Sequence, residues 1–161
     1  MSKLSDAIEE DHYLKVKQSI KAGEDLNQLV EISEDEYSPV LFYALRCRVS
    51  MDIVELLIES GSDFNYVTDD GVGVLDEAVI FGSIDVIKYL VDNKGMDIKA
   101  TKRKSGMTPF MQACCYGNMQ IIRYIYEKGI DVQAKDNNGM GALEYAIRLG
   151  KTQVEDYLKS L

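Results

Sequence analysis

Apolar residues in this chain recur in short bursts separated by glycine, and the bursts return at a fixed step. Between Gly106 and Asp136, the run Pro109-Phe110-Met111-Gln112-Ala113 is followed by Gly117, then by Ile121-Ile122 and Ile125-Tyr126, then by Gly129. Apolar positions three and four residues apart predict two short amphipathic helices. The glycines mark where each helix stops. Gly139 repeats Gly106 after 33 residues, and Gly150 repeats Gly117 after the same step. Laying this unit along the chain gives five copies, at 4–27, 38–68, 69–102, 103–135 and 136–161.

Helices this short are marginal in water on their own, so the units must bury their apolar faces against one another. Ile53, Val86, Ile121 and Val154 fall at one position of the second helix, and Leu57, Leu90, Ile125 and Leu158 at another. Each such burial contributes about 1.5 to 3 kcal/mol before entropy is counted. Ala44, Ala78, Ala113 and Ala146 mark a first helix that packs too closely for bulk, so a larger residue there overpacks the stack.

Departures from the pattern are informative. In the first unit Lys15 and Ser19 stand where the fourth has Ile121 and Ile125, and in the last unit Glu155 and Lys159 replace apolar residues; polar outer faces suit the ends of a stack. Residues 28–37 are too long for a simple connection and acidic towards their end, which predicts an extended finger, solvated or in contact with basic side chains. Arg48 occupies the place of Gly117 in a turn one residue longer, predicting a local bulge. Gly73-Val74 replaces Thr108-Pro109, so the capping hydroxyl is missing and the turn should be weaker. The third unit has two extra residues, assigned to Asn93-Lys94 and to 101–104.

The order of tight turn, helix, glycine, helix and glycine, with Thr108-Pro109-Phe110-Met111-Gln112-Ala113 at the first helix, resembles the ankyrin repeat. The resemblance covers nearly the whole chain. It implies an all-α solenoid of helix-turn-helix units with short β-hairpin fingers, forming a single domain over 1–161. It also implies a noncatalytic module that binds or inhibits a protein partner through a concave face of finger tips and inner-helix residues. Carried over position by position, that face comprises Arg46, Ile80, Phe81, Cys115, Tyr116, Arg148 and Leu149 from the helices, and Asp69, Asp70, Val72, Lys104, Met107, Asn137 and Met140 from the fingers. Aromatic, methionine and arginine side chains are the types enriched at interface cores. Because some small ankyrin proteins are linked to haem handling, Met107, Cys115, Tyr116 and Met140 also suggest an alternative, a haem-binding or trafficking role on the same face.

Composition narrows the partner. A net charge of -9 and a pI near 4.6 oppose attraction to nucleic acid or an anionic membrane and favour a basic protein. The first residues lack the apolar core of a leader, and no run reaches membrane-spanning length. Three cysteines, Cys47, Cys114 and Cys115, make a poor disulfide framework and suit a reducing compartment. A cytoplasmic monomer without cofactor or metal is expected.

Catalytic chemistry has little material. His12 is the only histidine, at a helix start where it serves as a cap. Gly71-Val72-Gly73 lacks the further residues of either phosphate-binding fingerprint. Asp69-Asp70 and Asp76-Glu77 lack calcium-loop spacing. Cys114-Cys115 has no companion that would make a zinc site. Lys99, Lys102, Arg103 and Lys104 form one local basic cluster.

Overall fold

A computed structural model describes residues 2–161. The chain folds as helix-turn-helix repeats, about half helical, and resolves into two compact units, residues 1–66 and 67–161.

In residues 1–66 the first repeat pairs α1 (Lys3–Glu9) with α2 (Tyr13–Lys21). His12 caps α2, its Nδ1 accepting the Lys15 amide at 3.4 Å. The second repeat pairs α3 (Val40–Arg46) with α4 (Met51–Glu59). Between the repeats lies a two-stranded antiparallel hairpin, β1 (Leu29–Ser33) and β2 (Glu36–Pro39). The acidic segment is thus an ordered finger, tightened by a bulge between Glu31 and Ser33 and turned at Asp35, which has φ of 60°. Leu4, Ala7, Ile8, Val16, Leu41, Ala44, Ile53 and Leu57 form the core. Asp11 fastens the two repeats, its Oδ1 accepting the Ser50 amide at 2.8 Å and the Ser50 hydroxyl at 2.9 Å.

Residues 67–161 hold three repeats: α5 (Val74–Ile80) with α6 (Ile84–Lys88), α7 (Pro109–Tyr116) with α8 (Met119–Glu127), and α9 (Ala142–Arg148) with α10 (Thr152–Lys159). The first helices lie side by side, α5 against α7 and α7 against α9. Ala78, Ala113 and Ala146 are buried at these junctions, as the small-residue row requires. Val86, Leu90, Ile121, Ile125 and Val154 are buried on the second helices, while Leu158 stays half-buried. One of the two extra residues of the third repeat is absorbed at its predicted place: α6 ends in a π-helical turn, Tyr89–Asn93, with the Lys94 amide reaching back to the Tyr89 carbonyl.

The turn between paired helices is the same in every repeat. Asp11, Arg48, Gly82, Gly117 and Gly150 all adopt left-handed backbone, with φ of 49°, 55°, 73°, 77° and 67°. Arg48 therefore keeps the turn it was expected to distort. The additional residue of that repeat falls in the link Val49-Ser50, after the turn.

The first helices start by two routes. Thr108 Oγ1 accepts the Met111 amide at 3.2 Å, the usual hydroxyl cap. Gly73 and Gly141 have no side chain, so capping there runs the other way: Asp76 accepts the Gly73 amide at 2.8 Å, and Glu144 accepts the Gly141 amide at 3.0 Å. A carboxylate in the first turn, where the helix dipole favours negative charge, supplies the cap that the missing hydroxyl withholds.

Candidate interaction surface

The candidate face in residues 67–161 is built on three finger turns. Each closes on a glycine: Gly71 donates to Thr68, Gly106 to Arg103 and Gly139 to Asp136, at 2.8 to 3.1 Å. Thr68 and Asp136 stabilise their loops alike, Thr68 Oγ1 accepting the Val72 amide at 3.1 Å and Asp136 Oδ1 the Asn138 and Met140 amides, both at 2.9 Å. Where the fourth repeat has Arg103, Thr101 takes over, accepting from the Arg103 amide and donating to the Met107 carbonyl at 2.7 Å.

Neighbouring fingers are joined through the backbone. The Lys104 amide donates to the Asp70 carbonyl at 3.0 Å, and the Asn137 amide to the Ser105 carbonyl at 2.9 Å. Asn137 Nδ2 adds a bond to the Lys104 carbonyl at 2.6 Å. The approach is so close at Gly71 that a Cβ there would stand 1.9 Å from the Lys102 carbonyl oxygen.

Behind the fingers, side chains nine residues apart tie the turns of the fourth and fifth repeats to their own first helices. Arg103 donates to Gln112, Tyr145 donates to Asp136, and Lys135 pairs with Glu144. Gln112 and Asp136 are buried. Desolvation would raise the Asp136 carboxyl, but the Tyr145 hydroxyl and the Met140 and Asn138 amides outweigh it and hold that carboxyl below its usual range. The same hydrogen bond, reinforced by burial, pushes the Tyr145 phenol up to about 12. Burial raises Asp76, opposed by the Gly73 amide and by the charge of Arg103. Cys115 is also raised by burial, with Arg103 and Lys151 pulling the other way.

On this frame the expected residues divide by burial. Tyr116 and Leu149, at equivalent positions near the ends of α7 and α9, are 52% and 50% exposed. Phe81, the counterpart following α5, is half-buried, as are Ile80 and Cys115 one position earlier. Val72, Met107 and Met140 are half-buried in the finger loops. Asp69, Asp70, Lys104, Asn137 and Arg148 are exposed and supply a polar border. Arg46 belongs to residues 1–66, where it is exposed and its Nη2 lies 3.8 Å from Glu36 Oε1. Ile147, absent from the expected face, is 51% exposed; its equivalents Leu45, Val79 and Cys114 are buried.

A comparison with known protein families agrees with this repeated architecture. The family model for ankyrin repeats, which spans three copies, matches residues 4–102 and again 97–160. The chain belongs to the ankyrin repeat family. Ankyrin repeats are in general protein-interaction modules, and the family is typically noncatalytic. Relatives include the mouse ankyrin repeat and SAM domain-containing protein 6, 30% identical over 76% of this chain, and the putative ankyrin repeat protein FPV244 of fowlpox virus, 27% identical over 92%. Alpha-latrocrustotoxin-Lt1a of the spider Latrodectus tredecimguttatus is 29% identical over 85%. The chain spans 14%, 20% and 9% of these proteins respectively, so the likeness is to their repeats.

The other expectations of chemistry take their places within this fold. Among the described residues, no group of three His, Cys, Asp or Glu is placed to hold a metal ion, and no helix is long and apolar enough to cross a membrane. Cys114 is buried in the packing of α7. Arg103 is not part of a loose basic patch, since Gln112 holds it against the helix. The signal for these ties, a polar residue nine positions before another in successive repeats, is visible in the sequence once the finger turns are aligned.

Proposed function

We propose that this ankyrin repeat chain binds a protein partner through the inner-helix row of residues 67–161. The observation that carries the reading is the exposure of Tyr116 and Leu149 at equivalent positions of adjacent first helices. Phe81 stands at the same position in the third repeat. A tyrosine and a leucine held half-exposed on packed helices lose little freedom on binding, which favours them as anchors. Asp69, Asp70, Lys104, Asn137 and Arg148 form the polar rim, and the fingers' backbone bonds pre-organise it. The net charge of -9 favours a basic partner by raising its rate of encounter. The protein acts by occupying or recruiting that partner, as a monomer in a reducing compartment.

A pulldown comparing tagged wild type with Tyr116→Asp/Leu149→Asp tests the reading. Both positions are exposed, so the double variant should melt within about 1 kcal/mol of wild type. Proteins captured by wild type should be lost from the variant, with affinity for an identified partner falling at least tenfold, on the order of a single hot spot. Equal capture by both would remove the row from the binding surface.

A further inference from the structure

The hairpin in residues 1–66 has a different chemistry from the inner-helix row. Among the described residues it forms a two-stranded sheet, so each strand has one edge that pairs with no other strand. The Val40 amide donates to the Gln28 carbonyl, which makes Gln28 and Val40 a hydrogen-bonded pair, and alternation along the ladder then makes Val30 and Ser38 the next. Leu29 and Glu31 lie between and turn their main-chain groups to the outer edge of β1. The outer edge of β2 is blunted by Pro39, which has no N–H to offer. The open edge of the sheet is therefore β1.

Its exposed face is apolar in the middle and acidic around it. Val30 and Ser38 are buried on the inner side, whereas Leu29 and Tyr37 on the outer side are 58% and 56% exposed. Glu31, Glu34, Asp35 and Glu36 surround them, and no lysine or arginine occurs from residue 22 to residue 45. Arg46 reaches Glu36 only at 3.8 Å. Among the described residues, Glu31, Glu34 and Asp35 make no ion pair.

We propose that this hairpin docks an extended segment of a partner protein that carries an apolar residue and an arginine or lysine two positions apart, on one face of the strand. The segment adds along the free edge of β1. Main-chain bonds to Leu29 and Glu31 give it affinity, and on the outer face its apolar side chain packs beside Leu29 while its basic one, two residues along, meets Glu31. Charge complementarity selects the basic strand over an acidic or neutral one. This site is separate from the inner-helix row, so either can fail without the other.

The test uses the full chain and a fluorescein-labelled peptide in which valine and arginine take turns at every second position with threonine between them, long enough to span β1, followed by anisotropy at low salt. Glu31→Gln/Glu34→Gln/Glu36→Gln should weaken binding about tenfold or more, as loss of several charge pairs predicts. Glu55→Gln/Glu127→Gln/Asp156→Asn removes the same net charge elsewhere and should change it less than about twofold. The peptide should also slow hydrogen exchange at the β1 amides, and the same peptide with glutamate in place of arginine should not bind. Equal losses in the two variants, no loss in either, absence of binding by wild type, or protection away from β1 would each overturn the proposal.

Discussion

Residues 1–66 and 67–161 realise one repeat in two ways. The first region carries six basic and fourteen acidic side chains, a net -8; the second carries twelve and thirteen, a net -1. Nearly all the protein's charge imbalance therefore sits on fewer than half its residues. The fingers differ too. The first region has a single hairpin with its own two-stranded ladder, whereas the second has short turns that bond laterally to one another and back to their helices. The first region's finger is stabilised within itself and leaves an edge free, while the second region's fingers consume their edges on each other. A ladder that consumes its edges makes a rigid platform for side-chain recognition, and one that leaves an edge free can take another strand.

The largest test of this contrast is Gly71→Ala. The new methyl would meet the Lys102 carbonyl at 1.9 Å and require an L-residue at φ of 82°. Backbone cannot step aside as a flexible side chain can, and left-handed geometry adds its own penalty, so the expected loss is about 3 kcal/mol or more. Thermal unfolding measures the loss, and hydrogen exchange resolved by peptide locates it in residues 67–161. Destabilisation spread equally over residues 1–66 would erase the distinction between the two regions.

A smaller effect follows from the buried carboxylates of the second region. Asp136 is held below its ordinary value of 3.8, so the stability it contributes is fully present above 3.8 and is lost as pH falls through its lower folded value. Asp76 is held above 3.8, so its ionised form opposes folding, and protonation relieves that penalty as pH falls towards 3.8. Asp136→Asn should cost about 2 kcal/mol at neutral pH, the scale of lost hydrogen bonds to a charged group. It should also flatten the acid limb of the stability curve. Asp76→Asn keeps an acceptor for the Gly73 amide and should instead raise stability at neutral pH while removing the gain on mild acidification. Denaturant titrations across pH separate the two. Curves of the same shape would mean that the two carboxylates do not sit in the environments described.

Much of this arrangement is legible in the residues because packing constrains their type. Alanine at one position of successive first helices signals the close junctions, and paired aliphatic residues on the second helices signal the core. Length arithmetic placed an extra residue at Asn93-Lys94, where the π-helical turn absorbs it. Other features depend on neighbours that no local pattern reveals. The glycine at Gly73 suggested a weakened helix start, because the replacement acceptor, Asp76, lies inside the helix. Val72, Met107 and Met140 looked equivalent to Tyr116 as surface residues, yet they are half-buried in the finger loops. Ile147 is exposed on α9, whose first-helix neighbour among the described residues is α7. Burial at a given repeat position is set by what stands beside it, which periodicity does not encode.

The smallest effect tests whether the hinge of the first region follows the same rule as that of the second. Gly82, Gly117 and Gly150 adopt its left-handed geometry at little cost, whereas Asp11 and Arg48 hold it with side chains attached. Arg48 is exposed, and among the described residues its side chain makes no hydrogen bond or ion pair; Arg48→Gly therefore relieves strain and loses nothing. Relief of about 1 to 2 kcal/mol, less the extra freedom glycine gives the unfolded chain, leaves a gain of about 0.5 to 1 kcal/mol. Asp11→Gly should go the other way. Aspartate tolerates left-handed backbone better than arginine, so less strain is released. The two bonds that Asp11 makes to Ser50 are also lost, leaving a net loss of about 1 kcal/mol. Opposite shifts in denaturation midpoint would mean that one hinge geometry serves both regions, with Asp11 retained for its tie to the second repeat and Arg48 tolerated at a small cost. A loss in both would mean that Arg48 has a role in the first region that its exposed position does not reveal.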